Sequence, residues 1–304
     1  MDKNRQNPNS YTAQTQPIQP QWMAPKKKRS CCSTIGCGLP LFLLVLTSLL
    51  VLLYLFTPWQ TTMLVMGIDY TPEGTSAGRT DTIILVGYNP FTPSFKMLSI
   101  PRDMWINIPD VGENRINTAH FYAELNQPGS GPEAAVEAVK TNFLIDPQYF
   151  FRIHFEGFQE VVDAMGGVDI QLIKPMAGFP PGSYHLTGNE ALAFVRNRAG
   201  SDDFFRMENG QFLLQSVFRQ MLHPAKWQYL PQVTLALFRM TDTNFPVWYW
   251  PRLMIALVRV GTQGIESHII QREMVIPYTT SGGASVLLPR WEIIHPFIAN
   301  IFGN

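Results

Sequence analysis

The sequence predicts an α/β domain, in which helices cover both faces of a mixed sheet, behind one transmembrane helix. Three observations predict this fold class. An uncharged run near the N-terminus is long enough to be a membrane span, three short apolar runs follow it, and helical and strand-like patterns then alternate along the rest of the 304-residue chain. Short continuous apolar runs are typical of strands buried on both faces. Strands interleaved with helices place those helices on both sides of one sheet.

Composition excludes one broad class of function. Hydrophobic residues make up 46% of the chain and charged residues only 15%, with a formal net charge of zero. The first 30 residues carry six basic side chains and one acidic side chain, so the remainder is mildly acidic. A mildly acidic domain lacks the electrostatic footprint of a nucleic-acid-binding protein. We therefore expect no nucleic-acid partner.

The uncharged run from Ile35 to Phe56 is about long enough to cross ~30 Å of hydrocarbon as a helix. A basic cluster, Lys26–Arg29, precedes it, and the first charge after it is Asp69, so the positive-inside rule places the N-terminus in the cytoplasm. A signal peptide would have a shorter apolar core and a small-residue cleavage site. We therefore predict a disordered basic cytoplasmic tail over residues 1–34, an uncleaved transmembrane helix over 35–57 and an extracytoplasmic domain over 58–304, with the lipid bilayer as a partner.

The elements of the outer domain follow from its apolar patterns. Strands are predicted at Met63–Ile68, Thr82–Tyr88 and Phe95–Ile100, with a turn-rich link between the second and third that indicates a hairpin. Later strands are predicted at Val168–Ile173 and His268–Ile276. Helices are predicted from Pro132, at Phe158–Met165 before Gly166-Gly167, at Asn189–Val195, at Met207–Leu222, and in two proline-broken patches around Val233–Met240 and Val247–Val260.

Two aspartates flank neighbouring strands. Asp69 follows the first predicted strand and Asp81 precedes the second, so antiparallel pairing would place the two carboxylates side by side. Carboxylates at that distance repel unless a cation such as Mg2+ or Mn2+ joins them. The alternative is that each aspartate caps a turn or pairs with Arg79, because structural ion pairs are common.

Five arginines lie at predicted element ends in this charge-poor chain: Arg79, Arg102, Arg196, Arg198 and Arg206. The planar guanidinium fork matches phosphate oxygens, so the set indicates an anion site. The alternative is local surface salt bridges, for example with Asp103, each contributing about 0–1 kcal/mol. Asp203 precedes Arg206 by three residues and is predicted to be either a helix N-cap or the orienting partner of an arginine.

The motifs, taken in order, resemble the LytR-CpsA-Psr family of bacterial cell-envelope proteins. The matching stretches are Met66–Asp69, Gly78–Asp81, Leu98–Asp103, Asn114–Asn117, Val161–Val168, Leu186–Arg198 and Asp203–Arg206. The resemblance implies an α-β-α sandwich with a central sheet. It also implies a phosphotransferase that moves a glycan phosphate from a polyprenyl-pyrophosphate carrier onto peptidoglycan, as in teichoic-acid-like glycan attachment, or in some members onto protein.

The resemblance assigns roles to individual residues. Asp69 and Asp81 would hold Mg2+ on the pyrophosphate. Its oxygens would be bound by the five arginines, with Asp103, Asn117 and Gln211 also in the substrate site. Asp203 is the better candidate for activating the acceptor hydroxyl, and the isoprenoid tail would lie in an apolar cavity under the sheet. This chain reads Met207-Glu-Asn-Gly-Gln211 where the family commonly has an Arg-Gln pair. That departure keeps two alternatives open: a non-catalytic protein that binds polyprenyl phosphate or glycan, and a pyrophosphatase with water as the acceptor.

Overall fold

The computed structural model describes residues 32–68, 77–197, 203–261 and 264–303, with side chains from Leu39 onward. Asp69 and Arg198, two of the predicted site residues, lie outside the described residues. The chain divides into two compact units, Met1–Leu53 and Tyr54–Asn304.

The first unit contains most of helix α1 (Cys32–Phe56). Its stretch Leu39–Phe56 has a mean hydropathy of 2.6, and the side chains in it are largely exposed. The helix is thus long and apolar enough to cross a membrane. The predicted span began at Ile35, three residues after the helix starts.

The second unit is built on strands and helices in alternation. The strands are β1 (Thr61–Ile68), β2 (Thr80–Asn89), β3 (Ser94–Ser99), β4 (Trp105–Ile108), β5 (Gly112–Arg115), β6 (Tyr149–His154), β7 (Val168–Leu172), β8 (Gly182–Leu186), β9 (Thr241–Thr243), β10 (Ile265–Ile269), β11 (Val275–Thr279) and β12 (Ser285–Pro289). The helices are α2 (Thr118–Asn126), α3 (Gly131–Phe143), α4 (Phe155–Ala164), α5 (Gly188–Arg196), α6 (Asp203–Leu222), α7 (Leu230–Met240), α8 (Trp250–Val260) and α9 (Trp291–Phe302).

Six strands form a central mixed sheet in the order β10-β3-β2-β1-β6-β9. The predicted hairpin is confirmed, because β2 pairs antiparallel with β3, and β2 also pairs antiparallel with β1. Strand β1 pairs in parallel with β6, which makes the sheet mixed. The last residue of β1, Ile68, lies opposite Thr80. The end of β1, the start of β2 and the end of β3 therefore meet at one edge of the sheet.

Helices cover both faces of this sheet, as predicted. On one face, Leu64 and Leu85 are fully buried in a cluster with Phe143 of α3 and Ile298 of α9. On the opposite face, helices α4, α5 and α6 lie over the other set of strand residues, and an apolar pocket there is lined by Val65, Ile84, Phe158, Leu192 and Leu214. Successive strand residues point to opposite faces, which is why both sets are apolar.

One predicted element is wrong. The stretch His268–Ile276 is not one strand: β10 ends at Ile269, a 3-10 turn covers Arg272–Met274, and β11 begins at Val275. The two halves join different sheets, since β10 pairs with β3 and β11 with β12. The sequence pattern could not reveal this break, because it depends on which sheet each half joins. Within the turn, the Met274 amide donates to the Gln271 carbonyl.

Candidate active site

A cleft of about 370 Å3 opens at the sheet edge where β1 ends, β2 begins and β3 ends. Five of the predicted site residues line it: Asp81, Arg196, Asp203, Arg206 and Gln211. They come from the start of β2, the end of α5 and the first half of α6. The start of α6 adds the positive end of a helix dipole, which favours a bound anion.

Arg102 links the carboxylates around this cleft. Its Nη1 donates a hydrogen bond of 2.8 Å to Oδ1 of Asp81, and its Nε lies 3.1 Å from Oδ1 of Asp203 and 3.7 Å from Oδ2 of Asp103. Burial lowers the pKa of Arg102, but these carboxylates, with Asp81 foremost, outweigh it and hold the pKa above its ordinary value. The Nε–H group is buried without an aligned hydrogen-bond acceptor. Arg102 is therefore a cation held among three carboxylates beside the cleft.

Asp203 is the orienting partner of two arginines. It pairs with Arg206 one helical turn later and with Arg102 across the cleft. Burial raises the pKa of Asp203 above its usual value, although Arg206 and Arg102 act in the opposite direction. A carboxylate with a raised pKa is a stronger base than an ordinary aspartate. Asp203 lines the cleft, and its raised pKa suits it to accept a proton there.

Asp103 lies between two guanidinium groups rather than forming a simple surface pair. Besides its contact with Arg102, its Oδ1 is 3.3 Å from Nε of Arg115, whose Nη2 donates to the carbonyl of Ser285. Arg115 belongs to the motif Asn114–Asn117, but the sequence did not mark it as a site residue. Its position at the end of β5, beside Asn117, was the available signal.

Two predicted arginines are held by aromatic rings. The guanidinium carbon of Arg196 lies 4.5 Å from the ring centroid of Phe155, and both residues line the cleft. Arg79 is exposed, outside the cleft lining, with its guanidinium carbon 5.6 Å from the ring of Phe121. Cation-π contacts orient an arginine without neutralising it. The structure thus brings Arg196 to the cleft, whereas Arg79 lies at its margin, two residues before Asp81.

Asn117 and Gln211 support the site in different ways. Asn117 is buried, its backbone amide donates to the Arg102 carbonyl, and its own carbonyl accepts from the Thr80 amide. It therefore ties the start of β2 to the loop that carries Arg102. The Nε2 of Gln211 donates to Oγ of Ser99 at 2.8 Å and to the carbonyl of His268 at 2.5 Å. Gln211 thus anchors α6 to the sheet while lining the cleft.

The altered stretch in α6 opens the cleft to an apolar pocket. Gly210 lines both cavities, together with Thr82, Ile84, Phe155 and Val195. A Cβ at Gly210 would meet only Cγ1 of Val195, at 3.8 Å. The pocket, about 100 Å3, then continues along the sheet beside β1, with almost entirely apolar walls. A polar cleft and an apolar channel therefore meet at Gly210.

The predicted metal site is only half within the described residues. Ile68, the last residue of β1, lies opposite Thr80, the residue before Asp81, and Asp69 lies outside the described residues, so the side-by-side placement of the two carboxylates stays a prediction. Asp81 lines the cleft and is paired with Arg102. Among the described residues no group of three His, Cys, Asp or Glu side chains could hold a metal. This donor set fits Mg2+ taken up together with phosphate oxygens, since Mg2+ needs only one or two protein carboxylates.

A second charged cluster, which the sequence reading missed, lies behind the cleft. Burial lowers the pKa of His120, so its neutral ring donates from Nδ1 to the Gly78 carbonyl and accepts at Nε2 from Arg152. Arg152 also donates to Oε1 of Glu124 at 2.6 Å and to Asp242 at 2.6 Å. Glu124 accepts from the backbone amides of the loop between α2 and α3. The spacing of His120 and Glu124, four residues apart on a helix, was the available signal.

Comparison with known proteins gives consistent matches. Residues 59–290 match the model of the LytR_cpsA_psr family. A polyisoprenyl-teichoic acid–peptidoglycan teichoic acid transferase, TagU of Oceanobacillus iheyensis, is 36% identical over 140 residues, covering 45% of this chain and 43% of that protein. The regulatory protein MsrR of Staphylococcus aureus is 30% identical over 195 residues, covering 62% of this chain and 57% of that protein. The chain is thus aligned with only about half the length of these curated relatives.

Solved structures share the fold. TagT bound to LI-WTA superposes with a TM-score of 0.65 at 22% identity, covering 81% of this chain and 91% of that one. TagV of B. subtilis superposes with a TM-score of 0.65 at 22% identity, covering 80% and 97%. At this identity the likeness shows a common α-β-α architecture.

Proposed function

Because the chain belongs to the LytR-CpsA-Psr family, we propose that it is a membrane-anchored phosphotransferase with an extracytoplasmic catalytic domain. It moves a glycan phosphate from a polyprenyl-pyrophosphate carrier to a peptidoglycan acceptor. The observation that carries the proposal is the cleft itself: Arg102, Asp203 and Arg206 form one ion-pair cluster beside Asp81, and the cleft opens into an apolar channel. A lipid pyrophosphate has these two parts, a doubly charged head and an apolar tail.

The head group is bound by guanidinium groups. Arg196 and Arg206 line the cleft, and Arg102 is ion-paired with two of the carboxylates that line it, Asp81 and Asp203. The guanidinium fork matches phosphate oxygens. Arg79 at the margin and Arg198, which follows α5, complete the set assigned by resemblance. Mg2+ held by Asp69 and Asp81 would supply neutralisation of the pyrophosphate charge.

The proposed transfer is a single displacement at phosphorus in which a residue of this chain accepts the proton. The acceptor hydroxyl oxygen forms a bond to the phosphorus that carries the glycan, and the bond from that phosphorus to the bridging oxygen breaks. Polyprenyl monophosphate leaves with the bond electrons, and Asp203 takes the hydroxyl proton. Charge that develops on the phosphate oxygens is stabilised by Arg102 and Arg206, which their aspartate partners hold in place before the reaction.

The apolar pocket, about 100 Å3, has room only for the part of the carrier's tail that adjoins the pyrophosphate. Its walls come from the cleft-facing side of β1 and β2 and from α4, α5 and α6. Binding energy gained there, far from the reacting phosphorus, positions the head group in the cleft. Gly210, in the stretch where the family commonly has an Arg-Gln pair, lines both the cleft and the pocket and places no side chain between them.

The full-length protein, incubated with Mg2+, a short-chain lipid-pyrophosphate glycan and peptidoglycan fragments, should release lipid monophosphate and yield glycan joined to the acceptor through phosphate. Binding of the lipid without release would instead support a binding or regulatory protein, the alternative that the missing Arg-Gln pair favours. Release of lipid monophosphate and free glycan phosphate, equally with and without acceptor, would identify a pyrophosphatase. Either result would overturn the proposal.

A further inference from the structure

The end of the sheet opposite the cleft is built from aromatic rings. Strand β1 runs from Thr61, beside Trp59, to Ile68 at the cleft. Seven steps of extended chain separate these ends by about 23 Å. The ring of Trp59 lies 5.2 Å from Tyr249 and 5.9 Å from Phe245, measured between centroids. This aromatic cluster, the aromatic pole, therefore lies at the end of β1 opposite the cleft.

The chain enters the domain at this pole directly from its apolar segment. Trp59 comes three residues after Phe56, the last residue of α1. Arg252 of α8 donates a 2.8 Å hydrogen bond to the Thr57 carbonyl, and its guanidinium carbon lies 4.9 Å from the ring of Tyr54. The hydroxyl of Tyr54 donates to the carbonyl of Trp248 at 2.9 Å. Helix α8 and the turn before it are therefore fixed to the point where the apolar segment ends.

Six exposed apolar side chains lie on α7, α8 and the turn before α8, and we call them the aromatic-pole face: Leu235, Phe238, Val247, Trp248, Met254 and Val258. Val247 is 68% exposed and Trp248 66% exposed, on the 3-10 turn that holds Tyr54. The same helices also have buried sides, with Val233 on α7 and Ala256 on α8 in the core. Helices that are apolar on a second, exposed side are typical of proteins that contact a membrane or a partner.

The charge of this segment favours an anionic membrane over a protein partner. Residues 224–261 contain four basic side chains, Lys226, Arg239, Arg252 and Arg259, and one acidic side chain, Asp242. Asp242 is paired with Arg152. A basic segment in an otherwise acidic domain is complementary to anionic phospholipid headgroups. Exposed tryptophan next to arginine is the composition that settles in the headgroup layer of a bilayer.

We infer that the aromatic-pole face lies in the headgroup layer of an anionic bilayer and fixes the orientation of the domain on its membrane. The inference rests on the proposed membrane anchor. Its consequence is that the cleft lies about 23 Å along β1 from the headgroup layer. The carrier's pyrophosphate must then leave the bilayer surface to react. The apolar pocket, about 100 Å3 beside Val65 and Gly67 at the cleft end of β1, takes only the part of the tail next to the head group.

Tryptophan quenching tests the orientation. The full-length protein is reconstituted in phosphatidylglycerol-containing vesicles whose acyl chains are brominated near the headgroup, and fluorescence is compared with unbrominated vesicles. Trp248→Phe should remove a large part of the quenched signal. Trp105→Phe is the negative control, because Trp105 lies on the β4–β5 hairpin, where Nε1 contacts Glu113. Trp59→Phe is the positive control, because chain continuity alone places Trp59 near the bilayer.

The two controls distinguish failure of the proposed aromatic-pole face from failure of the proposed membrane anchor. Quenching lost in Trp59→Phe but retained in Trp248→Phe would overturn the aromatic-pole face and leave the anchor intact. Quenching unaffected by both variants would overturn the anchor itself, and with it the orientation. A signal from Trp248 that is shifted in vesicles but not quenched by bromine would mean that a second protein copy covers the face, which also overturns the proposal.

Activity provides a second, independent readout. The double variant Val247→Asp/Trp248→Asp changes two exposed side chains, so it should fold normally. We expect kcat/KM for a long-chain carrier embedded in vesicles to fall at least fivefold, and kcat/KM for a water-soluble short-chain carrier to stay within twofold. An equal fall for both carriers, or none for either, would contradict the inference. Activity of the unmodified protein towards the short-chain carrier tests the proposed function separately.

Discussion

Arg102 and Arg152 are each ion-paired with more than one carboxylate. The carboxylates around Arg102 include two that line the cleft, whereas the main partner of Arg152 is a fully buried glutamate. Arg102 contacts three aspartates, two of which line the cavity at the sheet edge. Arg152 contacts Asp242 and the fully buried Glu124, and both sides of that pair are tied to backbone or to His120. The difference lies in access to Glu124, which is fully buried, whereas the aspartates around Arg102 are 15–28% exposed. A charge pair open to a cavity can exchange one partner for substrate, whereas an enclosed pair can only hold the fold together.

Removing the enclosed cation should have the largest effect on stability. Arg152→Met leaves Glu124 buried without its cation, and breaking such a pair costs about 3–5 kcal/mol. The double variant Arg152→Met/Glu124→Met should recover much of that loss, because no uncompensated charge remains. Denaturant unfolding of the three proteins in the same detergent measures this. A single variant as stable as the parent would show that the enclosed cluster does not support the fold.

Removing the open cation should act on the rate instead. Arg102→Ala is expected to lower kcat by about 100- to 1,000-fold, the equivalent of about 3–4 kcal/mol of transition-state stabilisation. Its free energy of unfolding should fall less than that of Arg152→Met, because water in the cleft can solvate the aspartates left behind. Arg290→Ala, at an exposed ion pair with Glu292, is the matched control and should keep full activity. If Arg102→Ala turns over substrate at nearly the parent's rate, the Arg102 cluster has a structural role and no role in catalysis.

The cleft cluster should also differ from the enclosed one in its response to Mg2+. If Asp81 is a ligand, Mg2+ at about 100 times its Kd stabilises the parent protein by about 2.7 kcal/mol, and Asp81→Asn should lose most of that gain. Asp103→Asn, which removes a neighbouring partner of Arg102, should keep the response. Melting temperatures with and without Mg2+ distinguish the two. The same Mg2+-induced shift in Asp81→Asn and the parent would remove Asp81 from the metal site.

The smallest expected effect is on pH dependence. Burial raises the pKa of Asp203, and a proton acceptor works only when ionised. kcat/KM should therefore decrease as the pH falls through a pKa above that of an ordinary aspartate. Asp203→Asn should be slower at every pH, and its residual rate should lack this acidic limb. A parent profile that stays flat until the pH range of an unperturbed aspartate would contradict the assignment of Asp203 as the base.

Much of the fold could be predicted from the chain because its signals are local. The apolar runs at β1, β2 and β3 have the length and continuity of buried strands, and the pair Gly166-Gly167, both with positive φ, ends α4 as predicted. The late strand was placed wrongly because the break near Arg272 depends on which sheet each half joins. Helix α9 was missed although Ile294, Ile298 and Ile301 share a face, since Pro296 interrupts the pattern.

The candidate site, like the fold, could be predicted from the sequence only in part. The sequence by itself determined which residue types are present at the element ends, and in the structure Asp81, Arg102, Asp203 and Arg206 form one ion-paired cluster at the cleft. Only the tertiary structure decided which carboxylate meets which arginine, that Arg79 stands at the margin, and that Arg152 with Glu124 is enclosed. The physical reason is that strand and helix periodicity fixes how a residue faces its own element. Pairing across elements depends on register and burial, which arise only when the sheet and helices pack.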